Sequence, residues 1–238
     1  MGMAALIIVM SASAPICLAG AGGEENPGII PIDASYAGQT YAEWMATEWQ
    51  WLLGVPCPEN SNPCLNGSDT GSISDMQPQQ LWFLPTVLLM GQKQTLQFTI
   101  PAGKALFYML FATEWDNFLC VSPPTSYSPE QLRQIAIDLG IKAIDTLEVD
   151  VDGVPVKDPK QYAVVTHSLD IILPPDNLLD KCWGCNTAPG IYGPGFAAGY
   201  AILFKPLPVG KHVIHESVSS TSVGVPLTDL TYDITVVP

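Results

Sequence analysis

The stretch at 81–113, LWFLPTVLLMGQKQTLQFTIPAGKALFYMLFAT, decides the fold. It holds three apolar, β-branched and aromatic runs, at 81–90, 95–100 and 104–113. Gly91-Gln92 and Pro101-Ala102-Gly103 separate them, so the stretch reads as strand, turn, strand, turn, strand. Downstream, LEVDV at 147–151 alternates and Asp152-Gly153 favours a positive-φ turn, which predicts a hairpin over 147–156. Further strands are predicted at 161–166, 198–204, 211–218 and 230–237, with 174–199 read as a long irregular loop. Upstream, Thr40 with Glu43 three residues later forms a capping box. It opens a helix over 40–53 that Gly54 and Pro56 close. A second helix is predicted over 129–144: Ser128 caps it, Pro129 takes its first position and Gln131 completes a capping box. Leu132, Ile135, Ala136 and Leu139 form its buried stripe. Eight or nine strands with two helices specify a mainly β protein, a single β-sandwich or jelly-roll-like domain over 23–238.

Composition narrows the function. Of 238 residues, 47% are apolar and 13% charged, and nine basic residues face twenty-three acidic ones for a net charge of −14. Too few cations are present to neutralise a phosphate backbone, which excludes nucleic acid and disfavours an anionic membrane surface. The segment MAALIIVMSASAPICLAGA at 3–21 has an apolar run too short to span a bilayer, followed by small residues. It reads as a signal peptide over 1–22, cleaved between Ala14 and Gly23. The mature chain is then secreted, extracellular or periplasmic, with no membrane attachment. Five cysteines remain, an odd number that leaves one free or intermolecular. Cys57 and Cys64 bracket a turn-rich loop and are expected to pair. Of Cys120, Cys182 and Cys185, a Cys182–Cys185 bond within CWGC is expected ahead of a bond from Cys120.

Several groups could carry chemistry. Glu114 and Asp116 flank Trp115 at the end of a strand, the paired carboxylates a glycoside hydrolase would use. Glu148, Asp150 and Asp152 recur every second residue, about 7 Å apart on one strand face. They could serve Ca²⁺, though a tight loop is the usual way to converge such oxygens and a solvated strand face is the favoured reading. His212 and His215 lie three apart on a strand, hence on opposite faces, and cannot both ligate one ion. His167 stands alone. No metal or other cofactor is expected. Trp44, Trp51 and Trp115 are candidate sugar-stacking platforms, or else core. A wheel at about 100° per residue puts Glu48 inside the apolar arc of Tyr41, Trp44, Met45, Trp51 and Leu52. Burial there requires donors or a neutral carboxyl; alternatively, Glu48 meets a ligand among the tryptophans.

The strings YAEWMATEWQWLLGVP (41–56), LWFLP (81–85) and TIPAGKALFYMLF (99–111) resemble a family of uncharacterised secreted, mostly bacterial proteins. Its members carry a Trp-rich opening helix and a PAGKALF strand motif. IDTLEVDVDGVPV (144–156) and GYAILFKPLPVGKHVIH (199–215) extend the resemblance. It implies an exported single domain and supplies no catalytic residues. The chain departs from the family pattern at Glu48, where an aromatic is expected, and at Tyr108-Met109, where Phe-Pro is expected. The resulting expectation is a secreted β-sandwich with a non-enzymatic binding or structural role. Its rivals are an extracellular hydrolase acting through carboxylates near Trp115 and a carbohydrate-binding module acting through exposed tryptophans.

Overall fold

The computed structural model describes residues 26, 28–57, 76–85, 93–120, 123–181, 183–221 and 226–238. The signal-peptide region and the middle of the 57–80 loop lie outside them. Among the described residues are strands β1 (Leu81–Leu84), β2 (Lys93–Pro101), β3 (Ala105–Trp115), β4 (Thr146–Val151), β5 (Val154–Pro155), β6 (Ala163–Val165), β7 (Leu169–Leu173), β8 (Gly190–Phe204), β9 (Gly210–Ser219) and β10 (Pro226–Val237). Three α-helices accompany them: α1 (Tyr41–Gly54), α2 (Pro129–Ile137) and the single turn α3 (Leu178–Lys181).

The strands form two sheets. The first has the order β1-β3-β8-β6, with β7 also pairing β8; the second has the order β2-β10-β9-β4-β5. The stretch at 81–113 therefore crosses between sheets: β1 and β3 pair in parallel in the first, while β2 pairs in parallel with β10 in the second. The Pro101-Ala102-Gly103 turn, with Gly103 at φ 86°, carries the chain from one sheet to the other. Residues facing inward from each sheet meet across the sandwich, with the Tyr108 and Tyr232 rings edge to face at 5.0 Å. The opposite face of the first sheet receives α1. Tyr41 meets Phe107 and Tyr162, while Trp44 and Trp51 meet Phe83.

Local signals set several elements as expected. Thr40 and Glu43 form the capping box of α1, and Ser128 and Gln131 that of α2. Asp152 (φ 53°) and Gly153 (φ 76°) make the β4–β5 turn. Val149 and Val151 are buried beneath it.

Other expectations are corrected. The helix over 129–144 is α-helical only to Ile137 and continues as a π-turn over Asp138–Lys142. The wider turn swings Leu139 into solvent and puts Gly140 against the sheet, where a Cβ would lie 2.0 Å from the Ala198 carbonyl oxygen. The 174–199 region holds α3 and the first two thirds of β8, the longest strand described. Its Gly and Ala content hid the strand, because small residues carry little β propensity. They are there because β3, β6, β7 and α2 all crowd onto β8. The short strand β7 lies just after the 161–166 run, which itself is half 3₁₀-turn and half β6.

The 182–185 disulfide is also corrected. Cys185 is bonded to Cys120, 65 residues away, with Cα atoms 4.8 Å apart. The amide of Cys185 donates to the Leu179 carbonyl, which turns it back over α3 toward the end of β3. Cys57 is disulfide-bonded; Cys64 and Cys182 lie outside the described residues, so the expected Cys57–Cys64 pair does too.

Candidate functional site

The tryptophan-lined helix is largely core. Trp44 is buried, its ring set 6.2 Å from that of Phe83 and its Nε1 donating to the Tyr36 carbonyl. It is no ligand platform, because α1 turns its apolar face onto the sheet. Trp51 is buried as well, though it borders a groove with Thr47, Gln50, Met76, Phe83 and Ile172. Trp115 is half-buried beside Phe196 and α2. Trp183 is 42% exposed.

Glu48 sits where the helix wheel places it, 1% exposed, with neither oxygen hydrogen-bonded. Burial raises its carboxyl well above the usual carboxylate range, so the group is neutral. Residues of α1 border two surface grooves, and Glu48 lines neither.

Glu114 and Asp116 lie two residues apart, hence on one face of β3, opposite to Trp115. Burial, and then the charge of Asp116, push the Glu114 carboxyl up to about 8. Asp116, 7% exposed, is raised by burial and lowered by the Leu119 and Phe118 amides, which both donate to its Oδ1. Asp116 Oδ2 and Glu114 Oε1 are buried without partners. Gly195 of β8 covers them: a Cβ there would stand 2.3 Å from Glu114 Oε1. The pair is two coupled carboxyl groups, both raised by burial, with the backbone of Gly195 against Glu114 Oε1.

The Ca²⁺ candidates separate. Glu148 is exposed on the outer face of β4. Asp150 faces His215 Nδ1 at 3.3 Å, and His215 Nε2 faces Asp229 at 3.3 Å. Asp152 holds His212 Nδ1 at 2.8 Å and accepts the Val213 amide. Burial lowers His212 most of any single influence, yet Asp152 and the Pro208 carbonyl together raise it above the usual value. The two histidines occupy opposite faces of β9, as their spacing requires. Among the described residues no group of three or more His, Cys, Asp or Glu side chains is placed to hold a metal. His167 borders a groove with Gln39, Glu43 and Ser168.

Two features escaped the sequence reading. Glu216 is completely buried between the sheets, and burial pushes it up to about 8. The Tyr108 and Thr228 hydroxyls face it without forming well-aligned hydrogen bonds. The signal was present: in KHVIHESV, Glu216 shares a strand face with Ile214 and Val218. The second feature is a groove of about 550 Å³ across β2, β10 and β9, lined by residues including Gln97, Thr99, Lys211, Asp233 and Thr235. Among the described residues no helix is long and apolar enough to cross a membrane.

No family model and no curated protein matches this chain. Two solved structures bear a faint likeness to it. One is PbICP-C in complex with falcipain-2: 10% identity, 66% of this chain, 99% of that chain, TM-score 0.26. The other is the cysteine protease inhibitor EhICP2 from Entamoeba histolytica: 12% identity, 61% of this chain, 95% of that chain, TM-score 0.21. At these scores neither likeness carries an argument about this protein, which stands as a two-sheet, mainly β chain described by its own geometry.

Proposed function

We propose that this protein is a secreted, non-catalytic binding domain. The observation that carries the non-catalytic reading is the roof over the Glu114–Asp116 pair. The backbone of Gly195 packs against Glu114 Oε1, which is buried and has no room beside it for a substrate atom on that side. One oxygen of Asp116 is already held by two amides. Export is supported by the Cys120–Cys185 disulfide, by the apolar, small-residue segment at 3–21, and by the resemblance to secreted proteins through the Trp-rich helix and PAGKALF strand.

One observation favours the hydrolase rival. A carboxyl held near 8 beside a second carboxyl that accepts two backbone amides resembles the two-carboxyl arrangement that glycosidic cleavage needs. A single preparation tests both. The full chain, expressed with its own N-terminus in a bacterial host, is recovered from periplasm and medium, sequenced at its N-terminus and assayed on aryl glycosides. The expected result is a mature end between Ala14 and Gly23 and no turnover. An exported chain still beginning at Met1 overturns the signal peptide. Turnover abolished in Glu114→Gln overturns the non-catalytic reading.

A further inference from the structure

The outer face of the second sheet is a grid of side chains set by strand register. Across β2, β10 and β9 its rungs are Lys93–Asp229–Ser217, Thr95–Thr231–His215, Gln97–Asp233–Val213 and Thr99–Thr235–Lys211. The charged side chains of the first two rungs are paired. Lys93 pairs with Asp229 at 2.8 Å, and His215 lies between Asp229 and Asp150. The last two rungs border the groove of about 550 Å³. Asp233 and Thr235, on the central strand, are half-buried at its floor, and Gln97, Thr99 and Lys211 stand exposed at its sides. Among the described residues the side chains of Gln97, Lys211, Asp233 and Thr235 make no hydrogen bond or ion pair.

This lining selects a ligand chemistry. It offers an amide and a hydroxyl, each donor and acceptor, together with one ammonium donor and one carboxylate acceptor. His212, which also borders the groove, is taken up by Asp152, and the remaining cation and anion, Lys211 and Asp233, cancel in a molecule of net charge −14. An anionic ligand would approach against that net charge and meet Asp233. An organic cation would meet Lys211. An apolar ligand would strip water from four polar groups and return no hydrogen bonds. A neutral, hydroxyl-rich ligand satisfies all four, since each hydroxyl both donates and accepts. The volume lies within the roughly 300–1,000 Å³ of small-molecule sites.

We infer that the groove on the outer face of the second sheet, floored by Asp233 and Thr235 and flanked by Gln97 and Lys211, binds neutral saccharides. This rests on the reading of the protein as a non-catalytic binding domain and moves the binding surface away from the tryptophans. With no Trp, Tyr or Phe side chain among the outward-facing residues of the last two rungs, hydrogen bonds carry recognition.

The test is a printed array of neutral, sialylated and sulfated glycans probed with the full chain and with Gln97→Ala, Asp233→Ala and Trp183→Ala. The expected result is binding confined to neutral glycans, weakened at least tenfold in Gln97→Ala and Asp233→Ala and unchanged in Trp183→Ala. Gln97 is exposed on strand β2, so its variant remains informative if Asp233→Ala fails to fold. Absence of binding, equal binding to acidic glycans, loss in Trp183→Ala or indifference to Gln97→Ala overturns the site. Mass spectrometry of a bound neutral glycan after incubation separates the two readings. Cleavage overturns the non-catalytic reading, while the variant series still decides the groove.

Discussion

Glu48 shows how far one residue can be read alone. Its wheel position placed it in the apolar face of α1, and it is buried there without a partner. A neutral, unsatisfied carboxyl in a packed interface is destabilising, by about 1–3 kcal/mol for groups of this kind. Glu48→Leu is therefore expected to raise stability by about 1–2 kcal/mol, read as a higher urea midpoint at constant slope. A lower midpoint would mean that the carboxyl has hydrogen-bond partners. Glu216 was equally legible and went unread. The alternation KHVIHESV faces it inward, but Tyr108 and Thr228, which surround it, come from strands that its own segment cannot name. The Cys185 partner was illegible for the same reason: spacing favoured the neighbour three residues away, and the fold delivers one 65 residues away.

Elements of the first sheet are finished by side chains imitating backbone. Gln77 accepts the Phe83 amide through Oε1 at 2.7 Å and donates through Nε2 to the Phe83 carbonyl at 3.1 Å. Gln50 does the same for Ile172, at 2.8 and 3.0 Å. Each amide occupies the place of a neighbouring strand along β1 or β7, where unpaired edge groups would otherwise invite another chain. Gln50→Ala and Gln77→Ala are each expected to cost about 1–2 kcal/mol, from two lost hydrogen bonds. The double variant should also self-associate more than the native chain in sedimentation velocity. A double variant of native stability and sedimentation would remove the edge-closing role. At the α2 exit, Gly140→Ala drives a Cβ into the Ala198 carbonyl. The expected cost is about 1–3 kcal/mol in thermal or chemical melts, as for other overpacked contacts.

The whole molecule carries its buried acids into its pH dependence. Glu114 and Glu216 each titrate near 8 when folded and near the ordinary 4.5 when unfolded. Between those values the folded state binds the extra protons. Stability is therefore full below about 4.5 and falls as pH rises toward 8, by about 1.4 kcal/mol per pH unit for each group. On the acid side Lys93 holds Asp229 below the usual range, and that contribution disappears as pH drops through the carboxylate region. Chemical denaturation from pH 4 to 9 should show a maximum on the acid side of neutrality, with the alkaline slope reduced in Glu216→Gln. An unchanged slope in that variant would place Glu216 in contact with water. The Cys120–Cys185 bond closes a 65-residue loop, worth roughly 4 kcal/mol in the chain-entropy description. Replacing both cysteines by alanine should lower stability by about that amount.

The sequence by itself determined whatever depends on neighbours along the chain. The two capping boxes, the Asp152-Gly153 turn, the alternation of β4 and β9, the buried arc of α1 and the mainly β class all follow from spacing of one to four residues. These are energies of local geometry, and any segment carrying them expresses them. Only the tertiary structure decided the parallel pairing of β1 with β3 and β2 with β10, the extension of β8 through glycines and alanines, the Cys120 partner, and the closure of Gly195 over Glu114. It also decided that the charged side chains of two rungs on one sheet face are paired and those of the next two are left open. Each of these depends on residues far apart in the chain. Register and packing bring them together, and no pattern within a single segment encodes which partner arrives.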